Sequence, residues 1–554
     1  MNKNCFRIRI GLIFFLSFTL LAAAAPGASA KPMLVVAISV DQMRADYLTK
    51  FQKYFSGGFK WLHDSGVVFQ DAHQNHFLTE TAPGHSTLLT GLNPGSNGIV
   101  ANYWYDRDRR ALVYCTADDA YPILDNAKAE GRSPRSLRAT TLGDWIKAQS
   151  PQSRVVSLAG KDRSAILMAG QDADEVLWYN EQNGRMETST YYQRRYAKWV
   201  DSFNKRQLPV SYFGKTWDYL KPAEFYRQFG PDDAPNEGGS DRTFPHVIGG
   251  FTALANASFY SSFIETPFLD EVVLTAAREA VTANQLGKRD VTDVLCVGLS
   301  ATDYIGHAFG PSSHEMADQL LRLDLFLQQF IDFLKAEVGA ENLVIVLSAD
   351  HGVLPLPEEL SSHGTRASRL TKQDRLLFQR LNDHLSRKLG FKENWILGYY
   401  STNIYLNYPA LGQHDLKRSE VEAAAKEYLL GLPAVAAVYG RSDIHLAVKN
   451  PDPILKLLRN AFNEARSGDV IIQFRENYIP STGTTGTTHG SPYRYDSWVP
   501  LVLFKRATGH KTIPEEVHTT DIAPTLAELL GVKTPEKLDG VSRLRLLTQA
   551  AAGN

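Results

Sequence analysis

The sequence predicts an α/β protein built on a doubly wound, mainly parallel sheet with inserted cap segments. The first observation behind this prediction is a set of short, β-branched apolar runs, each followed by polar residues and a helical pattern. Continuous apolar runs of this length are typical of strands buried on both faces of a parallel sheet. The second observation is that a charged side chain follows several of these runs, at the edge where such sheets bind ligands.

Five apolar runs are predicted to be strands of this sheet. In chain order they are PMLVVAISV, SRVVSLAG, VTDVLCVGLS, NLVIVLSAD and SWVPLVLFK. Asp41, Lys161, Asp303 and Asp350 lie within a few residues of the ends of the first four runs. One strand-end aspartate is usually a helix cap, but four charged residues at equivalent positions predict one shared site. The segment VHTTDIAPTLAELLG predicts an amphipathic helix that packs on the sheet.

Two segments interrupt the alternation of strands and helices. Residues from about 171 to 266 are rich in aromatic side chains, and residues from about 355 to 480 are polar and mixed. We interpret both as insertions that cap or flank the sheet of one catalytic domain spanning residues 31–554.

The first 30 residues, MNKNCFRIRIGLIFFLSFTLLAAAAPGASA, have the pattern of a signal peptide. A basic head precedes an apolar stretch, which ends in the small-residue sequence Ala-Ser-Ala. We therefore expect cleavage after Ala30 and export to the periplasm or the medium. An uncleaved membrane anchor is the alternative, although the apolar run is short for a spanning helix. After cleavage we expect no membrane association, because no second apolar run of spanning length follows.

Composition excludes several functional classes. Lys and Arg total 59 and Asp and Glu total 60, without a basic block, so a nucleic-acid surface is not predicted. Three cysteines are too few for a disulfide scaffold or a thiolate-rich metal site. Cys5 lies in the predicted signal peptide, and whether Cys115 and Cys296 pair is left open. We expect a monomer.

The stretch LTETAPGHSTLLTG carries a candidate nucleophile at Thr81. Thr81 stands just before Ala-Pro-Gly-His, so it could cap a helix or could be a nucleophile held beside the free N–H groups of that helix. His85 is expected to shape the helix start rather than to act as a base. The same stretch begins like the Gly-x-Ser-x-Gly elbow of serine esterases, but Leu88 replaces the second glycine and excludes that elbow.

Aspartates and histidines at the predicted strand ends suggest a metal site. Asp303 and His307 are four residues apart, Asp350 and His351 are adjacent, and Asp41 follows the first strand. A further candidate, His489, lies in the loop sequence STGTTGTTHGSP. Carboxylates and imidazoles are the ligands of a zinc pair. The remaining histidines considered are interpreted as surface or capping residues; they are His63, His73, His76, His314 and His518.

Six motifs in this order, SVDQM, TETAPGH, AGKDR, SATDYIGHAFGP, SADHG and THGSP, resemble the alkaline phosphatase superfamily. Within it, the chain is most similar to the periplasmic, phosphate-irrepressible alkaline phosphatases that use threonine as nucleophile. The resemblance runs from about Met33 to the C-terminal DGVSRL. It implies the alkaline phosphatase-like fold, two Zn²⁺ ions per active site and small phosphorylated substrates.

The resemblance also implies a role for each matching residue. One zinc ion would be bound by Asp303, His307 and His489. The second zinc ion would be bound by Asp41, Asp350, His351 and the oxygen of Thr81. Asn102 would hydrogen-bond a phosphoryl oxygen, and Lys161 and Arg163 match the pair that marks the monoesterase branch.

The expected function is that of an exported zinc-dependent alkaline phosphatase that forms a phosphothreonine intermediate. A threonine hydroxyl is a poor nucleophile at neutral pH, and a bound zinc ion lowers its pKa. The charges of Lys161 and Arg163 suit a dianionic monoester better than a monoanionic diester. One alternative is a phosphodiesterase or nucleotide pyrophosphatase on the same fold. Another is a catalytically silent exported protein that binds phosphoryl groups or metal. A sulfatase would need cysteine or serine where Thr81 stands.

Overall fold

The computed structural model describes residues 34–238, 241–250, 254–370, 376–446, 452–481 and 483–548. The predicted signal peptide lies outside the described residues. Lys31–Asn554 forms one compact unit. Within the described ranges, no helix combines the length and apolarity needed to cross a membrane.

The strands and helices alternate along most of the chain. The strands are β1 (Leu34–Val40), β2 (Val67–His73), β3 (Tyr103–Asp106), β4 (Ala111–Tyr114), β5 (Val155–Ala159), β6 (Glu175–Tyr179), β7 (Met186–Glu187), β8 (Thr216–Trp217), β9 (His246–Val247), β10 (Asp293–Leu299), β11 (Leu343–Ser348), β12 (Ser368–Arg369), β13 (Ile396–Tyr400), β14 (Asn403–Leu406), β15 (Val435–Gly440), β16 (Val470–Phe474), β17 (Tyr478–Ile479), β18 (Trp498–Lys505) and β19 (Lys511–His518).

The helices cover both faces of the main sheet and the smaller elements around it. They are α1 (Asp46–Lys50), α2 (Gly58–Ser65), α3 (Thr81–Thr90), α4 (Pro94–Asn97), α5 (Leu142–Gln149), α6 (Asp162–Ala169), α7 (Lys198–Lys205), α8 (Ala223–Tyr226), α9 (Ala257–Phe263), α10 (Phe268–Asn284), α11 (Ala301–Phe309), α12 (His314–Val338), α13 (Pro357–Ser362), α14 (Leu377–Leu389), α15 (Tyr408–Gln413), α16 (Arg418–Leu430), α17 (Arg441–His445), α18 (Pro453–Ala461), α19 (Arg494–Ser497), α20 (Ile522–Leu530) and α21 (Leu544–Thr548).

Nine of the described strands form the main sheet, in the order β19-β2-β18-β11-β1-β10-β5-β6-β7. The strands from β11 to β6 are parallel, which confirms the predicted doubly wound, mainly parallel sheet. The fifth predicted strand is β18, which runs antiparallel to β11 and β2. An apolar run predicts burial but not direction, so the sequence pattern did not distinguish this strand from the parallel ones.

Alternate residues of the central strand β1 contribute to the cores on opposite faces of the sheet. Leu34, Val36 and Ile38 belong to one apolar cluster, whereas Val35 and Ala37 belong to another. Every residue of β1 is buried, as it is in β10 and β11. This two-sided burial explains why these three strands are continuous apolar runs rather than alternating ones.

The two segments interpreted as insertions have different structures. Aromatic residues between 171 and 266, such as Trp217, Tyr226 and Phe259, pack into the larger core of the main sheet. Residues between 355 and 480 contain an antiparallel sheet of order β13-β14-β16-β15, which shares its own apolar cluster with α14 and α16. The first of these segments also contains β6 and β7, which belong to the main sheet, so it is not an insertion from its first residue onward. The exact limits of the two insertions stay a prediction.

The parallel register brings the carboxyl ends of four strands together. Val40 pairs with Leu299, and Ser39 pairs with Ser348, so β1 ends beside β10 and β11. Gly298 pairs with Ala159, so the end of β5 lies beside the end of β10.

Cys115 and Cys296 are buried free thiols, so they do not form a disulfide with each other.

Candidate active site

Helix α3 begins at the candidate nucleophile, Thr81. The preceding residue, Glu80, is extended, and Pro83 lies in the first turn, where a missing N–H costs nothing. Gly84 lets this turn lie directly against the end of β11, because a Cβ atom at Gly84 would be 2.1 Å from the carbonyl oxygen of Asp350. The helix start is therefore fixed against the strand end that carries Asp350.

The Thr81 side chain lies between a histidine and an arginine from other elements. Its Oγ1 is 3.5 Å from Nε2 of His351 and accepts a hydrogen bond from Nη2 of Arg163 at 3.4 Å. The backbone carbonyl of Thr81 accepts a hydrogen bond from Nδ1 of His85 at 2.9 Å. This bond confirms that His85 shapes the first turn of the helix.

Asn102 is fixed beside the nucleophile by two hydrogen bonds. The side-chain Oδ1 of Asn102 accepts from the backbone N–H of Ala82 at 2.9 Å, and the backbone N–H of Asn102 donates to Oε2 of Glu80 at 2.8 Å. Burial raises the pKa of Glu80 to about 7. The sequence analysis did not identify Glu80, because a glutamate before a helix is common. Its role is to hold Asn102 in place through their hydrogen bond.

The predicted metal ligands form two overlapping groups of nitrogen and oxygen atoms. In each group the donor atoms lie within 4.8 Å of one another, and the groups are Asp303 with His351 and His489, and Asp41 with Asp350 and His351. His307 lies beside the first group, with its Nε2 3.3 Å from Oδ1 of Asp303. The structure thus brings all six predicted carboxylate and imidazole ligands together, with His351 lying between the two groups.

The three aspartates are crowded in a buried environment. Burial, together with the charges of Asp303 and Asp350, holds the pKa of Asp41 well above its usual range. The ammonium group of Lys161 is 2.8 Å from Oδ2 of Asp41 and forms an ion pair with Asp303. Oδ1 of Asp41 is buried and accepts no hydrogen bond from the described residues. Three carboxylates, with one orphaned oxygen, fit metal cations.

The three histidines present the same ring atom to the site. Each Nδ1 donates to a backbone carbonyl: His307 to Thr487 at 2.8 Å, His351 to Gly352 at 3.0 Å and His489 to Thr79 at 2.7 Å. Because a carbonyl can only accept, the neutral ring leaves Nε2 as a free ligand. Burial lowers the pKa of His351, and burial with the neighbouring imidazoles lowers that of His489. Both are therefore in the neutral form that binds metals.

Lys161 and Arg163 are supported by residues that sequence reasoning missed. Nη1 of Arg163 donates to the hydroxyl of Tyr114 at 3.2 Å, and this hydroxyl donates to Asp162 at 2.6 Å. The ammonium group of Lys161 lies 4.8 Å from the ring centre of Tyr304. Asp162 could have been found from its place inside AGKDR. Nothing in the sequence around Tyr114 marks it.

Gln42 is a further missed residue that links the two ligand groups. Its Nε2 donates to Oδ1 of Asp303 at 2.8 Å, and its backbone N–H donates to Oδ1 of Asp350 at 3.1 Å. Gln42 has a φ of +66°, which is unusual for a residue with a side chain. Its place directly after Asp41 is the one signal that could have found it.

Two of the remaining histidines are not where the sequence analysis placed them. His76 is fully buried, and burial lowers its pKa to about 3. His314 is also buried, at the start of α12, with its Nδ1 2.8 Å from the hydroxyl of Tyr219. The surface or capping interpretation was wrong for both residues, because a single polar side chain in a sequence carries no information about tertiary burial.

A cavity of about 450 Å³, with room for a small substrate, is lined by the predicted phosphoryl-binding residues Asn102, Lys161 and Arg163. Tyr103 and Tyr304 also line it. The arrangement joins a hydroxyl at a helix N-terminus, two cations and a metal-ligand cluster. Such a site can bind a phosphoryl group and transfer it to the hydroxyl.

Comparisons with known proteins agree with this geometry. Residues 35–493 match the family model described as type I phosphodiesterase / nucleotide pyrophosphatase. The chain is 34% identical to alkaline phosphatase PafA of Elizabethkingia meningoseptica, over 93% of this chain and 94% of that protein. It is 33% identical to alkaline phosphatase PhoV of Synechococcus elongatus, over 92% of each chain. The crystal structure of wild-type PafA superposes with a TM-score of 0.87, covering 94% of this chain and 99% of PafA at 32% identity.

Proposed function

The chain belongs to the type I phosphodiesterase / nucleotide pyrophosphatase family, and we propose that within it the chain is an exported, zinc-dependent alkaline phosphatase with Thr81 as nucleophile. It is a phosphoric monoester hydrolase, like the alkaline phosphatases that are 33–34% identical to it over more than nine tenths of its length. The observation that carries the proposal is the meeting of Thr81, the Lys161–Arg163 pair and the metal-ligand cluster at one sheet edge.

The chain's own residues support attack by Thr81. Its Oγ1 lies at the first residue of α3, where free backbone N–H groups and the positive end of the helix dipole favour a bound phosphoryl group. Arg163 already contacts Oγ1, so its guanidinium can clamp two phosphoryl oxygens beside the attacking atom. The attack forms a phosphothreonine and releases the alcohol, and water then releases phosphate from Thr81.

We assign Asp303, His307 and His489 to one zinc ion, and Asp41, Asp350, His351 and the Thr81 oxygen to a second. The orphaned Asp41 oxygen, the three crowded carboxylates and the neutral imidazoles of His351 and His489 support this assignment. Bound zinc supplies Lewis acidity, which lowers the pKa of a coordinated hydroxyl or water. The hydrogen bonds at the three Nδ1 atoms keep the imidazoles oriented for this role.

The preference for monoesters is assigned to Lys161 and Arg163. A monoester is a dianion, and a diester carries one negative charge, so a buried lysine and a half-buried arginine favour the monoester more strongly. Asn102 adds a neutral amide, which positions an oxygen without adding charge. A phosphodiesterase activity is the second candidate, because the matching family is named for diester and pyrophosphate substrates.

One assay compares these candidates. Purified protein is given p-nitrophenyl phosphate, the bis-ester and the sulfate, with and without a chelator and added zinc, and its metal content is measured by mass spectrometry. We expect monoester turnover to exceed diester turnover, zinc to be bound and the chelator to abolish activity. Faster diester turnover contradicts the monoesterase assignment, and inactivity on every substrate with zinc bound supports a silent binding protein.

Export and oligomeric state follow from the sequence analysis and have their own tests. We propose that residues 1–30 direct export to the periplasm or medium, and N-terminal sequencing of the exported protein should begin at Lys31. The mature enzyme is proposed to act as a monomer on small phosphorylated substrates. Light scattering on the purified protein should give the mass of a single chain, and a dimer mass contradicts this part of the proposal.

A further inference from the structure

A second cavity, with a volume of about 370 Å³, is lined in part by residues of β3 and β4. Tyr114 lines both cavities, but among the residues lining the second there is no predicted catalytic or metal-binding residue. Its distinguishing feature is a set of five arginines: Arg107, Arg109, Arg138, Arg441 and Arg466. Below, it is called the arginine cavity.

Two of the five arginines are neutralised by carboxylates. Nη2 of Arg107 lies 2.8 Å from Oδ2 of Asp469. Arg441 lies 3.7 Å from Oδ1 of the same aspartate and 3.6 Å from Oε2 of Glu464. These two arginines have structural partners, so they do not by themselves indicate a ligand.

Arg466 and Arg138 are different, because they lie close together and neither forms an ion pair with a carboxylate of the described residues. Nη1 of Arg466 donates to the backbone carbonyls of Gly98 and Ser136, both at 2.6 Å, and its guanidinium lies 4.6 Å from the ring centre of Trp104. A Cβ atom at Gly98 would lie 2.8 Å from that Nη1 and 3.3 Å from Cδ of Arg138, so both side chains pack on the same glycine. Burial, with the charge of Arg138, lowers the pKa of Arg466 to about 10.

The acidic groups around the arginine cavity are already engaged or too distant to pair with these arginines. Oδ1 of Asp106 accepts the backbone N–H groups of Asp108 and Arg109, and Glu464 lies 2.6 Å from Nε2 of His445. Over the described residues, none of Arg109, Arg138 and Arg466 forms an ion pair with a carboxylate. The cavity therefore keeps an excess of positive charge, since four carboxylates, Asp106, Asp108, Glu464 and Asp469, oppose five arginines.

We propose that the arginine cavity binds the phosphate group of inorganic phosphate or of a small phosphorylated molecule, separately from the active site. Guanidinium groups hold tetrahedral oxyanions through paired N–H donors, and opposed arginines are stabilised when a dianion lies between them. A cavity of about 370 Å³ is in the range of small-molecule sites, so it has room for more than the phosphate group alone. The ligand thus belongs to the same chemical class as the substrate and product of the enzyme.

The test counts bound phosphate per chain by equilibrium dialysis of the zinc-loaded enzyme against radiolabelled inorganic phosphate, up to millimolar concentration. The wild-type enzyme should bind two phosphates. The variant Arg109→Ala/Arg138→Ala should bind one, because it removes two exposed cavity arginines and leaves the partly buried Arg466 in place. The matched control Arg227→Ala/Arg506→Ala removes two exposed arginines elsewhere on the surface and should keep two.

Monoester turnover separates the arginine cavity from the active site. Both double variants should retain the kcat of the wild-type enzyme at saturating monoester concentration. A non-hydrolysable sugar phosphonate should displace the second phosphate, and its affinity relative to phosphate tells which of the two sources the cavity prefers. One phosphate per wild-type chain, or two in the Arg109→Ala/Arg138→Ala variant, would overturn the proposal. Failure of the phosphonate to displace the second phosphate would assign the cavity to inorganic phosphate.

Discussion

The Gly84→Ala substitution tests whether the close approach of α3 to β11 sets the position of the nucleophile. An added Cβ would lie 2.1 Å from the carbonyl oxygen and 2.7 Å from Cα of Asp350, whereas ordinary contacts begin at 3.4 Å. These neighbours are backbone atoms, which cannot rotate away as a side chain can. The start of α3 and the end of β11 must therefore separate, and Thr81 moves with the helix.

The size of the effect follows from that separation. Restoring an ordinary contact requires a displacement of about 1.3 Å, and a displacement of about 1 Å between reacting groups costs about 10²-fold in rate. Overpacking of this kind also lowers the free energy of unfolding by about 1–3 kcal/mol. Alanine is intrinsically the better helix former by about 1 kcal/mol, so the local preference of the helix opposes the predicted loss and cannot cause it.

The assay is kcat/KM for p-nitrophenyl phosphate, with thermal unfolding measured on the same samples. Gly412→Ala is the matched control, because Gly412 also lies in a helix, α15, and an added Cβ meets no atom within 4 Å. The control should keep wild-type kcat/KM. A Gly84→Ala enzyme with wild-type kcat/KM and wild-type melting temperature would refute the reasoning, because it would mean that α3 is free to move without affecting the site.

Three further predictions concern charge, metal and pH. Replacing Lys161 and Arg163 together with alanine should lower monoester kcat/KM by about 10²- to 10⁴-fold, since each charge-assisted contact contributes about 1.5–3 kcal/mol; diester kcat/KM should fall less, and an equal loss in both assays contradicts the specificity role. Chelation should abolish turnover and lower the melting temperature, because the crowded carboxylates lose their counterions; unchanged unfolding after verified zinc removal argues against the metal assignment. Burial raises the pKa of Asp270 to about 7. The folded state therefore keeps a proton on this carboxyl group that the unfolded state loses near pH 4. The free energy of unfolding should fall by up to about 4 kcal/mol as the pH rises from about 4 to 7. In Asp270→Asn the side-chain amide can still accept from the backbone N–H of Ala301, and Gln319 can turn its unpaired Oε1 toward the new amide N–H. In urea titrations at several pH values, the dependence of the free energy of unfolding on pH should therefore be weaker in the variant. An unchanged pH dependence assigns it to other groups.

Among the completely buried parallel strands of the main sheet, β1, β5, β10 and β11 were predicted, whereas the short run EVLWY of β6 was missed and was included in the first predicted insertion. β1, β10 and β11 are buried along their whole length and therefore consist mostly of apolar residues. β2 was missed, because its second half is partly exposed and contains both polar and apolar residues. The antiparallel direction of β18 depends on its hydrogen bonds to β11 and β2, which an apolar run does not specify.

The candidate site was predictable where its chemistry needs unusual residues in unusual places. A single strand-end aspartate is usually a helix cap, but charged residues at four strand ends, together with His307, His351 and His489, predict one shared metal site. Gln42, Glu80 and Tyr114 are ordinary residues whose importance arises from contacts with groups distant in the chain or from burial. Such contacts form only in the folded protein, so no local sequence pattern predicts the roles of these three residues.

The central claim is that Thr81 carries the phosphoryl group during monoester hydrolysis. The most direct measurement is a single-turnover reaction of the zinc-loaded enzyme with a radiolabelled monoester, quenched in acid, followed by mass spectrometry of the peptide that contains LTETAPGHSTLLTG. We predict a phosphate on Thr81, none on Thr79 or Thr87, and no label in Thr81→Ala or after chelation. An active enzyme that turns over without label on this peptide, or with the label on another residue, would contradict the account.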